Sequence, residues 1–140
     1  MRVVIGSDDD VLVVGEVARL FEARGDEVVR LPISPWGKVA TLAGEAIANG
    51  EADQAVVLCF TGTGVAMAAN KVRGVRAALC VDAVTAAGAR KWNDANVLAL
   101  SLRLLTASLA HEIVEAWVGT VYAGTESESL SVMAGVEHSP

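Results

Sequence analysis

Apolar runs of strand length alternate with segments of helical periodicity along most of this chain. The apolar runs predict five strands, at residues 2–5, 27–31, 55–59, 76–81 and 96–100. The helical segments predict helices at residues 11–23, 39–49, 65–71, 82–91 and 107–118. Strand–helix alternation at this spacing indicates βαβ units, parallel strands and right-handed crossovers. Ligands of such sheets bind at the carboxyl ends of the strands, where residues 6–10, 59–64 and Asp82 are expected.

The composition favours a sheet that is buried on both faces. Apolar residues make up 53% of the chain and aromatic residues only 4%, so valine, alanine and leucine must build the core. Parallel strands covered by helices have this composition. A large apolar dimer interface would add to it, and we expect both causes to operate.

The net charge of −6, carried by acidic residues spread along the chain, argues against a nucleic acid or an anionic membrane as a partner. No apolar run reaches the length of a membrane span, and the apolar start is too short for a signal peptide. The two cysteines have no metal-ligand spacing to histidine and indicate free thiols in a reducing compartment. We therefore expect a cytoplasmic protein.

The segment 59–64, CFTGTG, carries the strongest chemical signal. The predicted buried strand ends at Cys59, and the glycine-rich turn that follows it leads directly into a helix. Free N–H groups at a helix start favour an anion or a developing oxyanion, and they bias a nearby thiol toward thiolate. The alternative for Cys59 is a small buried hydrophobic residue, which is also what we expect of Cys80. Dinucleotide and Walker motifs do not fit, because Met67 replaces the third glycine and no GK[ST] follows.

Asp8, Asp9 and Asp10 follow the first predicted strand. Adjacent carboxylates point in different directions, and one of them is expected to cap the next helix, so a metal site is disfavoured. The functional alternative is that Asp8 binds a sugar hydroxyl. His111 and His138 lie beside no candidate segment. Asn93 sits in a strand-entry loop that could face a ligand.

Four segments together resemble the ribose-5-phosphate isomerase B family, which includes the two galactose-6-phosphate isomerase subunits. These segments are GSD at 6–8, CFTGTG at 59–64, AANKVRGVRAALC at 68–80 and NDANVL at 93–98. The resemblance runs from residue 1 to about residue 122. It implies a Rossmann-like three-layer α/β/α sandwich with a five-stranded parallel sheet. It also implies a homodimer or homotetramer whose active sites are shared between subunits, and no metal or organic cofactor.

The resemblance implies aldose–ketose isomerisation of a sugar or sugar phosphate through a cis-enediolate. In the family, the cysteine that matches Cys59 shuttles the proton. Thr61 would assist at the sugar oxygens, and the backbone of Gly62, Thr63 and Gly64 would hold the enediolate oxygen. Asp8 would bind a hydroxyl group, and Arg103 matches an arginine that contacts the phosphate.

The chain departs from the family pattern at four other positions. Asp9 stands where the family has a histidine, and Trp92 replaces the histidine thought to open the sugar ring. An indole cannot act as an acid or base at neutral pH. Glu126 and Leu130 stand where the family has two phosphate-binding arginines, and a carboxylate repels a phosphate.

Three hypotheses remain open on these residues. The first is an active isomerase, either on a less phosphorylated sugar or with its phosphate held by Arg103 and a partner subunit. The second is a subunit that needs a heterologous partner to supply the missing basic groups. The third is a catalytically silent fold that binds a small polyol or acid, or serves an assembly role. In each case we expect residues 1–122 to form the domain, and residues 123–140 to be frayed or to lie on a partner subunit.

Overall fold

The computed structural model describes residues 1–140 and has five parallel strands in one sheet. The strand order is β2-β1-β3-β5-β4, with β3 at the centre. The strands are β1 Arg2–Ser7, β2 Glu27–Arg30, β3 Gln54–Cys59, β4 Ala77–Leu79 and β5 Val97–Ser101. The predicted α/β fold is thereby confirmed, with shifts of one or two residues at the strand ends.

Helices cover both faces of the sheet, as the alternation of side chains along each strand requires. The helices are α1 Leu12–Glu22, α2 Trp36–Ala48, α3 Thr63–Ala69, α4 Ala83–Asn93, α5 Ala107–Val118 and α6 Ser127–Glu137. Val56 and Leu58 of β3 pack with α1, α4 and α5, whereas Val57 and Cys59 pack with α2 and α3. The result is a three-layer sandwich with two separate cores.

Three local predictions were wrong. No aspartate caps α1: its N-cap is Val11, which makes no side-chain capping hydrogen bond. Helix α2 begins at Trp36 with Pro35 as its N-cap, three residues earlier than predicted, because proline already supplies a backbone angle suited to a helix start. Helix α6 was not predicted; it has no buried residue, so the sequence carries little apolar periodicity there.

No helix combines the length and the apolar character that crossing a membrane requires. Helix α6 is tied to the rest of the chain near its end, where Gly74 N donates to the carboxylate of Glu137 (3.3 Å). Whether residues 123–140 also lie on a partner subunit stays a prediction.

Candidate active site at the carboxyl edge of the sheet

The carboxyl ends of the three central strands lie side by side and are joined by hydrogen bonds. Ser7 of β1 pairs with Leu58, and Cys59 pairs with Ser101 of β5. Beyond the strands, Asp8 N donates to the Leu58 carbonyl at 3.3 Å, and Ser101 Oγ donates to the Phe60 carbonyl at 3.0 Å. The loops after β1, β3 and β5 therefore form one rigid edge, and this edge holds most of the predicted site residues.

Cys59 is the last residue of β3 and is 4% exposed. Its side chain belongs to the core between the sheet and helices α2 and α3, with Val65 and Ala69 of α3 as neighbours in that cluster. Cys80 is also buried, as predicted, but it lies in the core on the other face. Burial, followed by the nearby Asp82 carboxylate, raises the pKa of the Cys80 thiol to about 12. Cys80 is thus an inert thiol and a natural reference for Cys59.

The turn after Cys59 depends on Gly62. Its φ of +77° lies in the left-handed region, and a Cβ there would lie 2.9 Å from the backbone carbonyl carbon of Leu100. The N–H groups of Thr63, Gly64 and Val65 donate to no acceptor in the chain, and of these residues Thr63 is exposed, Gly64 half-buried and Val65 buried. The hydroxyl groups of Thr61 and Thr63 lie 2.7 Å apart, and both residues are exposed. Hydrogen-bonding groups beside the thiol are therefore free to meet a ligand.

Asp8 and Asp9 border an open depression of about 650 Å³ next to Phe60. The Ser7 hydroxyl fixes this loop, because it accepts from Asp9 N (3.2 Å) and donates to Asp9 O (2.7 Å). Burial, followed by repulsion from Asp9, raises the pKa of Asp8. Asp8 therefore gains from a hydrogen-bond donor such as a hydroxyl group. Across the chain, no cluster of three or more histidine, cysteine or acidic side chains is arranged to hold a metal.

Arg103 lies two residues beyond β5 on the same edge. Its backbone N–H donates to the Phe60 carbonyl at 2.9 Å, while its exposed side chain forms no ion pair or hydrogen bond. Asp82, also expected near this edge, serves as the N-cap of α4 and accepts from Thr85 N at 2.7 Å. Arg103 is thus a free cation, and Asp82 has a structural role.

Trp92 and Asn93 lie away from the other predicted site residues. They end α4, which leads into the amino end of β5, whereas Cys59 pairs with the last residue of β5. At about 3.3 Å per residue, the length of this strand separates the two edges by about 13 Å. Trp92 packs on Gly88 of its own helix, where a Cβ would come within 2.9 Å of the indole. One chain therefore does not bring Trp92 or Asn93 to Cys59.

The motif segments 68–80 and 93–98 meet at the amino edge and hold each other in place. The Asn70 side chain donates to the Ala77 carbonyl and accepts from Ala77 N, at 2.9 and 2.8 Å. Asn96 Oδ1 accepts from Arg76 N (2.8 Å), and the Arg76 guanidinium donates to the Asp94 carbonyl (2.7 Å) and carboxylate (3.2 Å). Asp94 has a positive φ of 48°, which this pairing supports. These residues stabilise the edge strand β4.

One residue of the carboxyl edge was missed by sequence reasoning. Trp36, the first residue of α2, packs against Gly64: a Cβ on Gly64 would lie 2.9 Å from Cε3 of the indole. In the sequence, Trp36 stands in a Pro-containing stretch between the predicted strand 27–31 and the predicted helix 39–49. Its position at the carboxyl end of a strand was the available signal.

The fold and the loop of residues 59–64, here called the thiol loop, are those of an α/β sugar isomerase family. The comparisons with known proteins agree. Residues 3–132 match the family described as Ribose/Galactose Isomerase, and the chain belongs to this family. It is similar to ribose-5-phosphate isomerase B of Escherichia coli, with 44% identity over 56% of this chain and 53% of that protein. It is also similar to D-erythrulose-4-phosphate isomerase of Pectobacterium atrosepticum, with 34% identity over 89% of this chain and 86% of that one.

The structural comparison extends over nearly the whole chain. The structure of ribose-5-phosphate isomerase B from Clostridium thermocellum superposes with a TM-score of 0.93 and 33% identity, covering 98% of this chain and 97% of that chain. By sequence, the chain spans only about half the length of the first curated relatives that it matches, at 53% and 54%. Membership of the family and the fold are thus established.

Proposed function

We propose that this protein is an aldose–ketose isomerase for a small sugar or sugar phosphate, with Cys59 as the acid/base. The observation that carries the proposal is the position of Cys59 at the end of the central strand, next to N–H groups that have no acceptor in the chain. Gly62, with its left-handed backbone, lets the chain begin α3 directly after the strand that carries the thiol.

In the proposed reaction, the Cys59 thiolate removes the proton from the carbon beside the carbonyl of the open-chain aldose. The electron pair moves into a cis-enediolate, whose oxygen accepts from the N–H groups of Thr63 and Gly64. The thiol then returns the proton to the neighbouring carbon to give the ketose. Thr61 hydrogen-bonds the two sugar oxygens and relays the hydroxyl proton of the second carbon to the oxygen of the first, so that the carbonyl ends on the second carbon. Asp8 accepts from a hydroxyl group further along the sugar.

Arg103 is the residue that we assign to an anionic end of the substrate, because its guanidinium is exposed and unpaired at this edge. Trp92 and Asn93 would reach the thiol only from a second subunit, since they lie at the amino edge of their own chain. We therefore place the complete site between two copies, with Asp9 on its rim. No cofactor enters the proposed reaction, which moves one proton between two carbons and one between two oxygens.

The test is exchange of solvent deuterium into D-ribose 5-phosphate, D-erythrulose 4-phosphate and the corresponding free sugars, followed by NMR. We expect exchange with at least one of them, and a loss of about 10²–10⁴-fold in Cys59→Ser, the size of a lost general acid/base. Cys80→Ser is the matched control: it changes another buried cysteine and should exchange at the wild-type rate.

Two outcomes would change the assignment. Full exchange in Cys59→Ser would show that another group moves the proton. No exchange with any sugar would favour the second candidate, a silent or partner-dependent member that binds a small polyol or acid. The replacement of a possible acid/base by the Trp92 indole favours that candidate. Recovery of exchange on mixing with a second family member would single out partner dependence.

A further inference from the structure

Trp36 is a large aromatic side chain at the mouth of the candidate site. It begins helix α2, one turn before Ala40, and Ala40 packs in the same core as Cys59. Residues four apart lie on the same face of a helix, so Trp36 continues that face beyond the core toward the carboxyl edge. Although its neighbours on this face are buried, Trp36 itself is 49% exposed.

The indole is in direct contact with the turn that follows the thiol. A Cβ on Gly64 would lie 2.9 Å from Cε3 and 3.0 Å from Cδ2 of Trp36. Gly64 therefore leaves no room between its backbone and the ring, and the ring has backbone behind it on that side. The N–H of Gly64 is one of the donors without an acceptor. Because Gly64 contacts the indole, a ligand that reaches this N–H comes close to Trp36.

We propose that Trp36 determines substrate specificity: its indole forms the wall of the sugar site next to Gly64 and limits the length of the sugar. This inference rests on the proposed isomerase function. An open-chain sugar that touches both Cys59 and the Gly64 N–H lies along residues 59–64, and its C–H groups can pack on the aromatic face. Since the ring is backed by Gly64, it cannot retreat to admit additional carbons.

The test compares kcat/KM for a four-carbon, a five-carbon and a six-carbon substrate: D-erythrulose 4-phosphate, D-ribose 5-phosphate and D-galactose 6-phosphate. In Trp36→Ala, we expect the ratio of kcat/KM for the six-carbon substrate to kcat/KM for the four-carbon substrate to rise about tenfold. One methylene group in an apolar pocket changes kcat/KM by about 10–200-fold. The same ratio in Trp36→Phe should lie between the values for Trp36→Ala and wild type. A merely structural role would lower all three values by the same factor.

Leu42→Ala is the matched control, because Leu42 is an apolar residue of the same helix, 39% exposed, and lines a different depression beside Val4 and Leu31. It should leave the three values in their wild-type ratio. Trp36→Phe, which keeps a ring against Gly64, covers the case in which Trp36→Ala does not fold. Thermal melting of each variant checks folding independently.

Ligand binding gives a second readout that does not need turnover. Titration with the same three compounds should change the tryptophan fluorescence of wild type, and Trp36→Phe should reduce that change by the contribution of Trp36, while the part that remains comes from Trp92. An active enzyme whose chain-length ratio is the same in wild type and Trp36→Ala overturns the inference and leaves the proposed function intact. A wild type that neither binds nor turns over any of the three overturns both.

Discussion

The carboxyl and amino edges of the sheet use their polar residues in opposite ways. At the amino edge, the side chains of Asn70, Arg76 and Asn96 are consumed by hydrogen bonds within the chain. At the carboxyl edge, the N–H groups after Gly62 and the guanidinium of Arg103 have no partner in the chain. Buried backbone N–H groups are almost always paired, so the unpaired N–H groups after Gly62 indicate a place for a ligand, whereas an exposed guanidinium is solvated and can serve a ligand only by its position.

This difference separates two kinds of motif residue that look alike in the sequence. Segment 68–80 is a long and specific part of the family resemblance, yet Asn70 and Arg76 in it hold β4 and the loop before it. Segment 59–64 is shorter and holds the thiol and the free donors. The specificity of a motif therefore identifies the family, while hydrogen-bond partners identify the residues that remain available to a substrate.

The strongest test of the amino edge is Arg76→Ala. The substitution removes the donors to the Asp94 carbonyl and carboxylate and leaves the carboxylate only Arg90, at 4.0 Å. We expect a loss of about 2–4 kcal/mol in the free energy of unfolding. Denaturant melts measure it. Arg73→Ala is the control, because Arg73 is an exposed arginine of the same segment with no ion pair or hydrogen bond, and its effect should be near zero. Equal effects would mean that the Arg76 network adds no stability.

The two glycines of the thiol loop give the next test. Gly62→Ala meets both the left-handed backbone and the Leu100 carbonyl, and should cost about 2–3 kcal/mol. Gly64→Ala meets only the indole of Trp36, and should cost about 1–2 kcal/mol, the range of an overpacked contact. In the Trp36→Ala background the cost of Gly64→Ala should vanish, whereas that of Gly62→Ala should stay. Denaturant melts of the single and double variants measure these free energies of unfolding. Additive losses for Trp36→Ala and Gly64→Ala would contradict the Trp36–Gly64 contact.

Arg103→Ala sharpens the comparison on the functional side. Since Arg103 has no partner in the chain, its removal should leave thermal stability unchanged. If it binds the anionic end of the substrate, KM for a sugar phosphate should rise about tenfold, the equivalent of one charge-assisted hydrogen bond. The rise should shrink at high salt, and KM for the unphosphorylated sugar should not change. An equal rise for both sugars would exclude a role in phosphate binding.

The sequence predicted the periodic parts of the fold and the thiol loop, and it failed where the answer depends on packing. Helix α5 was predicted with its observed bounds, Ala107–Val118, because its apolar face is regular. Helix α6 buries nothing, so no periodicity revealed it. The Asp8–Asp10 run looked like a helix cap, but Ser7 at the strand end binds the loop backbone instead.

The sequence also did not predict which distant residues lie close together in the fold. Trp92 and Asn93 were grouped with Cys59 because the family resemblance groups them, yet α4 delivers them to the opposite edge. The contact of Trp36 with Gly64 joins residues 28 positions apart in different βα units, and no local pattern encodes it. A motif fixes which residue types are present, and the strand order fixes which of them meet.

The smallest expected effect concerns Asp8. Its carboxyl group has no cation to offset its burial, whereas Asp94 at the amino edge is paired with Arg76 at 3.2 Å. Burial and Asp9 raise the pKa of Asp8 above the ordinary value of 3.8. The folded protein thus holds this proton to a higher pH than the unfolded chain does. Stability is therefore lost as the pH rises from 3.8 through the pKa of the folded state.

Asp8→Asn removes this dependence. Its melting temperature should match that of wild type in acid and exceed it slightly near neutral pH, with a difference that grows as the pH rises above 3.8. Asp10→Asn is the control, because Asp10 is exposed and lies 3.8 Å from Arg30. A difference that instead shrank with rising pH would mean that the Asp8 carboxylate is stabilised in the folded chain, and that the carboxyl edge supplies it with a donor just as the amino edge supplies Asp94.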